Sequence, residues 1–357
     1  MAMKRPRLLT PGPVNLHPAA VRALARPQLH HRSSEAGELV RELRARIAKL
    51  ANSRGEAVLL GGSGTAAMEA AVRGLFRPGA RVWVPVAGKF SERWCEIARA
   101  AGLEPVCDAY DWGQAVPPGA VPARPLDGAL LTHSETSTGV LQPLAELAAR
   151  FRERHPEALL AVDAVTSFAL TPLRMDDWKL DAVVLGSQKG LMSPPGLAAV
   201  VLGPRGLEAL RPAGYYLDLA RELRAQRAHQ TAFTPPINLI EAAAAVMRAL
   251  EAEGWEARFE RVREANEGFY ALGETAGLVP VPEPGTRRSP AVAAFYLPRG
   301  TPYVEVSRAF AARGWRIAGG QGPLKGSIFR VSAMGYFEPG ELERAYGDFR
   351  QLLKRPT

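Results

Sequence analysis

A doubly wound α/β fold with a smaller α+β domain at its C-terminal end is the architecture this sequence predicts. Three features predict it. From about residue 38 to residue 250, short apolar runs alternate with longer segments of helical period. That alternation argues for a mostly parallel sheet flanked by helices. After about residue 255 the alternation breaks. Finally, two apolar runs lead into charged residues, Asp163 and Lys189, and ligands of such sheets bind at the carboxyl ends of strands.

The helical segments of the first part are 38–51, 66–75, 91–101, 144–153 and 238–253. The first reads Glu38-Leu-Val-Arg-Glu-Leu-Arg-Ala-Arg46, with arginines and glutamates between the apolar positions. The apolar runs are 57–60, 81–86, 128–132, 159–162, 182–185 and 198–202, all of strand length. In the second part a helix over 256–276 precedes a strand over 291–297 and a helix over 303–313. Strands over 315–318 and 327–332 follow, joined by the turn Gly319-Gly-Gln-Gly322, and a last helix covers 338–353. The stretch 116–125, richest in proline and glycine, predicts a surface loop. These patterns divide the chain into an N-terminal segment (1–18), a large domain (19–254) and a small domain (255–357).

Composition excludes several functions. With 47% hydrophobic and 23% charged residues the chain has an ordinary globular composition. No apolar run approaches the roughly 18 residues of a membrane span. The basic start, Met1-Ala-Met-Lys-Arg-Pro-Arg7, runs into a polar, proline-rich segment, unlike a signal peptide. Two cysteines, Cys95 and Cys107, are too few for a disulfide framework and lack metal-ligand spacing, so no metal and a cytoplasmic location are expected. The net charge of +9 comes from arginines scattered among glutamates. No basic stripe with interleaved aromatics is present, which speaks against a nucleic-acid partner and for a modest pull on anionic substrates.

Lys189 is the most informative residue. It follows Asp181-Ala-Val-Val-Leu-Gly-Ser-Gln188 and precedes Ser193-Pro-Pro-Gly196. A buried ammonium is expensive to desolvate, so a lysine held there is a candidate for an imine with a carbonyl cofactor. Asp163 ends Leu159-Leu-Ala-Val162. Either residue alone reads as a surface loop lysine or a helix N-cap. Together, at strand ends, they are what pyridoxal phosphate needs: a lysine for the aldehyde and a carboxylate for the ring nitrogen.

Other motifs stay open on local sequence. Gly61-Gly-Ser-Gly-Thr65 runs straight into a helix, which makes either a phosphate site or a plain turn capped by Ser63 or Thr65. His133-Ser-Glu-Thr-Ser-Thr-Gly-Val140 is either a capped loop or a cofactor wall with Ser137 near a ring hydroxyl. Phe90 either stacks on a planar ring or packs in the core. Arg330, inside the apolar run Ser327-Ile-Phe-Arg-Val-Ser332, either faces solvent or takes a bidentate partner such as a substrate carboxylate.

Taken together, the motifs resemble the class V aminotransferases of fold type I, especially the alanine–glyoxylate and serine–pyruvate group. The resemblance runs from Thr10-Pro-Gly-Pro13 to the last helix. It is strongest over Leu131–Pro143, Gly186–Lys189 with Pro194-Pro-Gly196, and Gly319–Pro323 leading to Arg330. It implies that Lys189 bonds the cofactor, with Gln188 a neighbouring contact, and that Asp163 pairs with the pyridine nitrogen. It places Val165 on one ring face, Phe90 on the other and Ser137 at the ring's phenolic oxygen. Ser63, Gly64 and Thr65 would hold the phosphate, and Thr231 and Thr234 would reach the phosphate of a partner subunit. Arg330 would bind the substrate carboxylate, with the Pro11-Gly12 turn close by.

The resemblance also implies a homodimer with shared sites, moving an amino group from alanine or serine to glyoxylate or pyruvate. 2-Aminoethylphosphonate–pyruvate transamination is the alternative substrate reading. A cysteine desulfurase is disfavoured, because both cysteines lie before residue 110. A non-catalytic protein of the same fold is disfavoured by the presence of Lys189, Asp163 and Arg330.

Overall fold

The computed structural model describes residues 6–353; the basic residues 1–5 noted above lie outside it. In chain order the elements begin with β1 (Arg7–Leu8), α1 (Pro18–Leu24), α2 (Ser34–Leu50), β2 (Glu56–Gly62) and α3 (Gly64–Leu75). Next come β3 (Arg81–Val86), α4 (Lys89–Ala100), β4 (Glu104–Ala109), β5 (Gly128–Thr132), β6 (Ser134–Glu135), β7 (Val140–Leu141) and α5 (Leu144–Arg154). The large domain closes with β8 (Leu159–Asp163), β9 (Ala182–Gly186), β10 (Gly196–Leu202), α6 (Pro204–Ala209), α7 (Leu219–Arg227) and α8 (Ile237–Glu253). The remainder is α9 (Trp255–Thr275), β11 (Ala293–Tyr296), α10 (Tyr303–Ala312), β12 (Trp315–Arg316), β13 (Ala318–Gly319), β14 (Ile328–Val331) and α11 (Glu341–Leu353).

Seven strands form the central sheet in the order β2-β10-β9-β8-β5-β3-β4. Its two faces follow from the period of two along each strand. Leu131, Leu160, Val162 and Val183 point to one face, against Leu43 of α2, Phe151 of α5 and Met247 of α8. Leu130, Ala161, Ala182 and Val184 point to the other, against α3, Trp94 of α4 and Leu223 of α7. Both faces are covered, which is why these strands read as unbroken apolar runs. A three-stranded antiparallel sheet, β11-β14-β13, forms the small domain with α9, α10 and α11 around its own core. β1 pairs with β12, and Leu9 enters that same core, so the N-terminal segment is tied to the small domain.

The fold is the α/β class expected, with four differences. β10 runs antiparallel to both neighbours, which an apolar run cannot reveal. β1, β4, β6, β7, α1, α6 and α7 have no counterpart in the sequence reading; β4 is a half-exposed edge strand, and α7 carries four charged residues in nine. The 116–125 stretch is not all surface, because Val116 and Val121 are buried. Cys95 and Cys107 are bonded to each other, joining α4 to β4. One bond is no framework, yet it removes reduced cysteines as support for a cytoplasmic location. No described helix is long and apolar enough to cross a membrane.

Asp181, just before β9, is the buried charge that fixes the β8–β9 junction. Its carboxylate accepts the Leu160 N–H at 2.7 Å and pairs with Arg152, whose side chain is also buried. Removing one partner of a buried pair leaves the other uncompensated. Asp181→Ala is therefore expected to lower the unfolding free energy by about 3–5 kcal/mol. A urea midpoint unchanged from wild type would show that the pair contributes nothing.

Candidate active site

The carboxyl ends of β2, β8 and β9 and the N-termini of α3 and α4 converge on one cavity of about 320 Å³. That volume suits a small cofactor or substrate. Its lining includes Gly12, Ser63, Gly64, Thr65, Phe90, Asp163, Val165, Gln188 and Lys189, nine of the residues singled out above.

β8 and β9 pair in parallel, with Asp163 opposite Val184, so Asp163 and the loop carrying Lys189 leave the sheet side by side. Asp163 accepts the Val165 N–H at 2.8 Å. Burial pushes its carboxyl up to about 6, against the pull of that N–H and of the Arg93 and Lys189 charges. Burial likewise pulls the Lys189 ammonium down to about 8, although the Asp163 charge resists. Lys189 Nζ donates to the Pro11 carbonyl. Gly12 sits at φ +120°, and a Cβ there would lie 2.4 Å from Lys189 Nζ, so only glycine lets this turn cross the lysine.

The glycine-rich turn resolves toward a binding site. Ser63 is the N-cap of α3 by backbone conformation, yet its hydroxyl makes no capping bond. A Cβ on Gly64 would lie 2.6 Å from Val165, so the helix start and the Val165 wall close on each other only through glycine. Backbone N–H groups at a helix start, with hydroxyls beside them, suit a phosphate.

α4 enters from the other side. Glu135 is buried and accepts from Phe90 N–H (3.2 Å), Ser91 N–H (2.9 Å) and Ser91 Oγ (3.0 Å). This carboxylate holds the first turn of α4 and so places Phe90 in the cavity wall. The same carboxylate occupies Ser137, whose Oγ donates to Glu135 at 2.5 Å and accepts from Lys89 N–H at 3.0 Å. Ser137 is fully buried behind Phe90 and is not among the residues lining the cavity. His133 also lies behind the wall, edge-on to Trp178, and burial holds its imidazole down at about 4.

Arg330 is buried on β14 but points between domains rather than to solvent. Its Nε and Nη2 donate to Gly319 O (2.9 and 2.7 Å) and Nη1 donates to Thr136 O (2.9 Å). Thr136 Oγ1 bonds Thr166 Oγ1 at 2.8 Å, and Thr166 lines the cavity. One N–H on each terminal nitrogen is left over, the number a carboxylate needs. Thr231 and Thr234 lie elsewhere, in a smaller cavity of about 30 Å³ with Gly61, Tyr216 and Phe233. The chain does not bring them to its own Lys189 cavity.

Sequence reasoning missed Arg93, Thr166, Met68, Pro13 and Pro195 in the lining. Pro13 and Pro195 lie within the motifs Thr10-Pro-Gly-Pro13 and Pro194-Pro-Gly196, and Arg93 stands three residues after Phe90 and so on the same side of a helix.

These residues fit pyridoxal phosphate. The cavity offers a buried amine for the aldehyde, a buried carboxylate for a cationic ring nitrogen, and a helix start for the phosphate. Gln188 Oε1, buried without a partner, is one more acceptor in the wall. The amine attacks an aldehyde only when neutral, and a lysine lowered from 10.5 to about 8 becomes neutral as pH rises through about 8. Uptake of pyridoxal phosphate by apoprotein should therefore speed up to about pH 8 and level off above it. A rate that keeps climbing to the ordinary lysine range would show that burial does not activate Lys189.

Known proteins agree with this geometry. The family model described as aminotransferase class-V matches residues 19–303. The small subunit of a soluble hydrogenase from Synechococcus sp. is 36% identical, over 97% of this chain and 92% of its own. L-aspartate–glyoxylate aminotransferase from Paracoccus denitrificans is 30% identical, over 92% of this chain and 86% of its own. The solved structure of a subgroup IV aspartate aminotransferase from Thermus thermophilus is 51% identical with a TM-score of 0.94, covering 98% of this chain and 99% of that one. The chain thus belongs to the class-V aminotransferases, as a transaminase whose cofactor is pyridoxal phosphate.

Proposed function

We propose that this transaminase moves the amino group of a small amino acid, alanine or serine, to glyoxylate or pyruvate. The observation that carries the reading is the burial of Lys189 and Asp163 together in one cavity. Pyridoxal phosphate, bound through its aldehyde to Lys189, supplies the electron sink for the substrate's α-carbon.

The chain supplies the rest. Lys189 Nζ, once free and neutral, would take the proton from the substrate's α-carbon and deliver it to the cofactor carbon that carried the aldehyde, and it would move a proton the opposite way with an oxo acid. Asp163 keeps a proton on the ring nitrogen by opposing its charge. Phe90 and Val165 would flank the ring, and Ser63, Gly64 and Thr65 would hold the phosphate. The spare Arg330 N–H groups take the substrate carboxylate. The Pro11–Pro13 turn lies directly against Lys189, so it bounds the space beside the reacting amine. Aspartate is a second donor reading, supported by likeness to two proteins named for it. The phosphonate reading draws no support from the relatives described above.

Two copies complete the site in this reading. Tyr215 and Tyr216 are 70% and 54% exposed and pack on Phe233, beside Thr231 and Thr234. Aromatic side chains exposed together suit a protein interface. From it Thr231 and Thr234 reach the partner's phosphate.

Four measurements test the function. Borohydride reduction of holoenzyme should fix the cofactor mass on Lys189, with no label in Lys189→Ala. Asp163→Asn should keep bound cofactor but slow each half-reaction roughly 100- to 5000-fold, since lost buried pairing of about 3–5 kcal/mol falls on the barrier. Arg330→Lys should raise KM for amino and oxo acids about tenfold or more while leaving cofactor absorbance intact. A donor panel of alanine, serine, aspartate and 2-aminoethylphosphonate then decides the substrate. Fastest turnover of the phosphonate would overturn the reading.

A further inference from the structure

We propose that Arg93 is an anion-binding residue of this cavity, and that its guanidinium completes the phosphate cradle at the start of α3. The inference rests on the reading that Ser63, Gly64 and Thr65 hold the cofactor phosphate.

Arg93 lines the cavity from α4. Its Nη1 donates to Thr65 Oγ1 at 3.3 Å, and its guanidinium carbon lies 5.0 Å from the centre of the Phe90 ring. These two contacts fix its place between the ring-stacking residue and the helix start. Its charge is not spent within the protein. The acids of the same helix, Glu92 and Glu96, pair with Lys89 at 2.6 and 3.4 Å. The nearby Glu135 is taken up by the backbone and hydroxyls of Phe90, Ser91 and Ser137. Among the described residues no carboxylate pairs with Arg93. A half-buried guanidinium without a counter-charge, beside free helix N–H groups, calls for an anion. The Arg93 charge is felt within the cavity, where it lowers both Asp163 and Lys189. A phosphate carries about −2 at neutral pH, more than helix N–H groups alone neutralise. The competing account is mechanical: Arg93 only braces Phe90 through its cation–π contact.

Pyridoxal phosphate and pyridoxal separate the two accounts. Both carry the same ring and aldehyde, so stacking on Phe90 and bonding to Lys189 cancel, and only the phosphate differs. Dissociation constants of both are measured on apoprotein for wild type, Arg93→Met and Arg93→Lys. Arg93→Met should weaken pyridoxal phosphate about tenfold or more, leave pyridoxal nearly unchanged, and be partly rescued in Arg93→Lys, which keeps the charge. Equal weakening of both ligands would overturn the proposal in favour of bracing, and no weakening of either would overturn it outright. If wild type fails to prefer pyridoxal phosphate over pyridoxal, the phosphate reading of the α3 start falls and takes this proposal with it. Should Arg93→Met not fold, Arg93→Gln and Arg93→Lys carry the comparison.

Discussion

Two opposite charges are buried at neighbouring strand ends, and the rest of the site is arranged around the cost of keeping them there. Neither Lys189 nor Asp163 spends its polar group on the other. Lys189 is held by the Pro11 carbonyl and Asp163 by the Val165 N–H. Backbone dipoles anchor each, so both stay separate and available. Desolvation moves both toward neutrality, the lysine down and the carboxyl up. A planar ring with an aldehyde at one side and a basic nitrogen at another relieves both costs at once.

The sheet makes that arrangement reproducible. Parallel pairing of β5, β8 and β9 brings three strand ends to one edge, and the loops beyond them carry the chemistry. The 133–140 loop then turns its polar side chains inward. Glu135 fixes α4, Ser137 fixes Glu135, and Phe90 is thereby set in the wall. Residues that touch nothing in the cavity determine where the cavity wall stands.

The sequence made the large-sheet strands legible to within a residue or two, because strands covered on both faces are continuous apolar runs. β4 escaped because an edge strand with Pro105 and Asp108 has no such run. Lys189 and Asp163 were legible for the opposite reason, as charges where apolar runs end. The partners of Ser137, Glu135 and the N-terminus of α4, were not legible, because local sequence does not disclose a long-range contact. Arg93 left only its spacing from Phe90, which acquires meaning once α4 lies beside Thr65. The direction of β10 was likewise a property of the assembled sheet.

Arg330 ties the two domains together. Its guanidinium bonds Gly319 in the small domain and Thr136 in the large one, so its position depends on both. Burial lowers it only to about 10, so it remains charged at neutral pH in a site from which water is largely excluded. Such a cation discriminates strongly for an anion, since desolvation has already been paid in folding. A carboxylate taking the spare N–H groups therefore binds at a seam between domains. The same Thr136 joins that seam through Thr166 to the wall of the cofactor cavity. On the proposed function, substrate recognition and cofactor placement would share one hydrogen-bonded path, and the small domain would act on the site even though it contributes no residue to the lining of the Lys189 cavity.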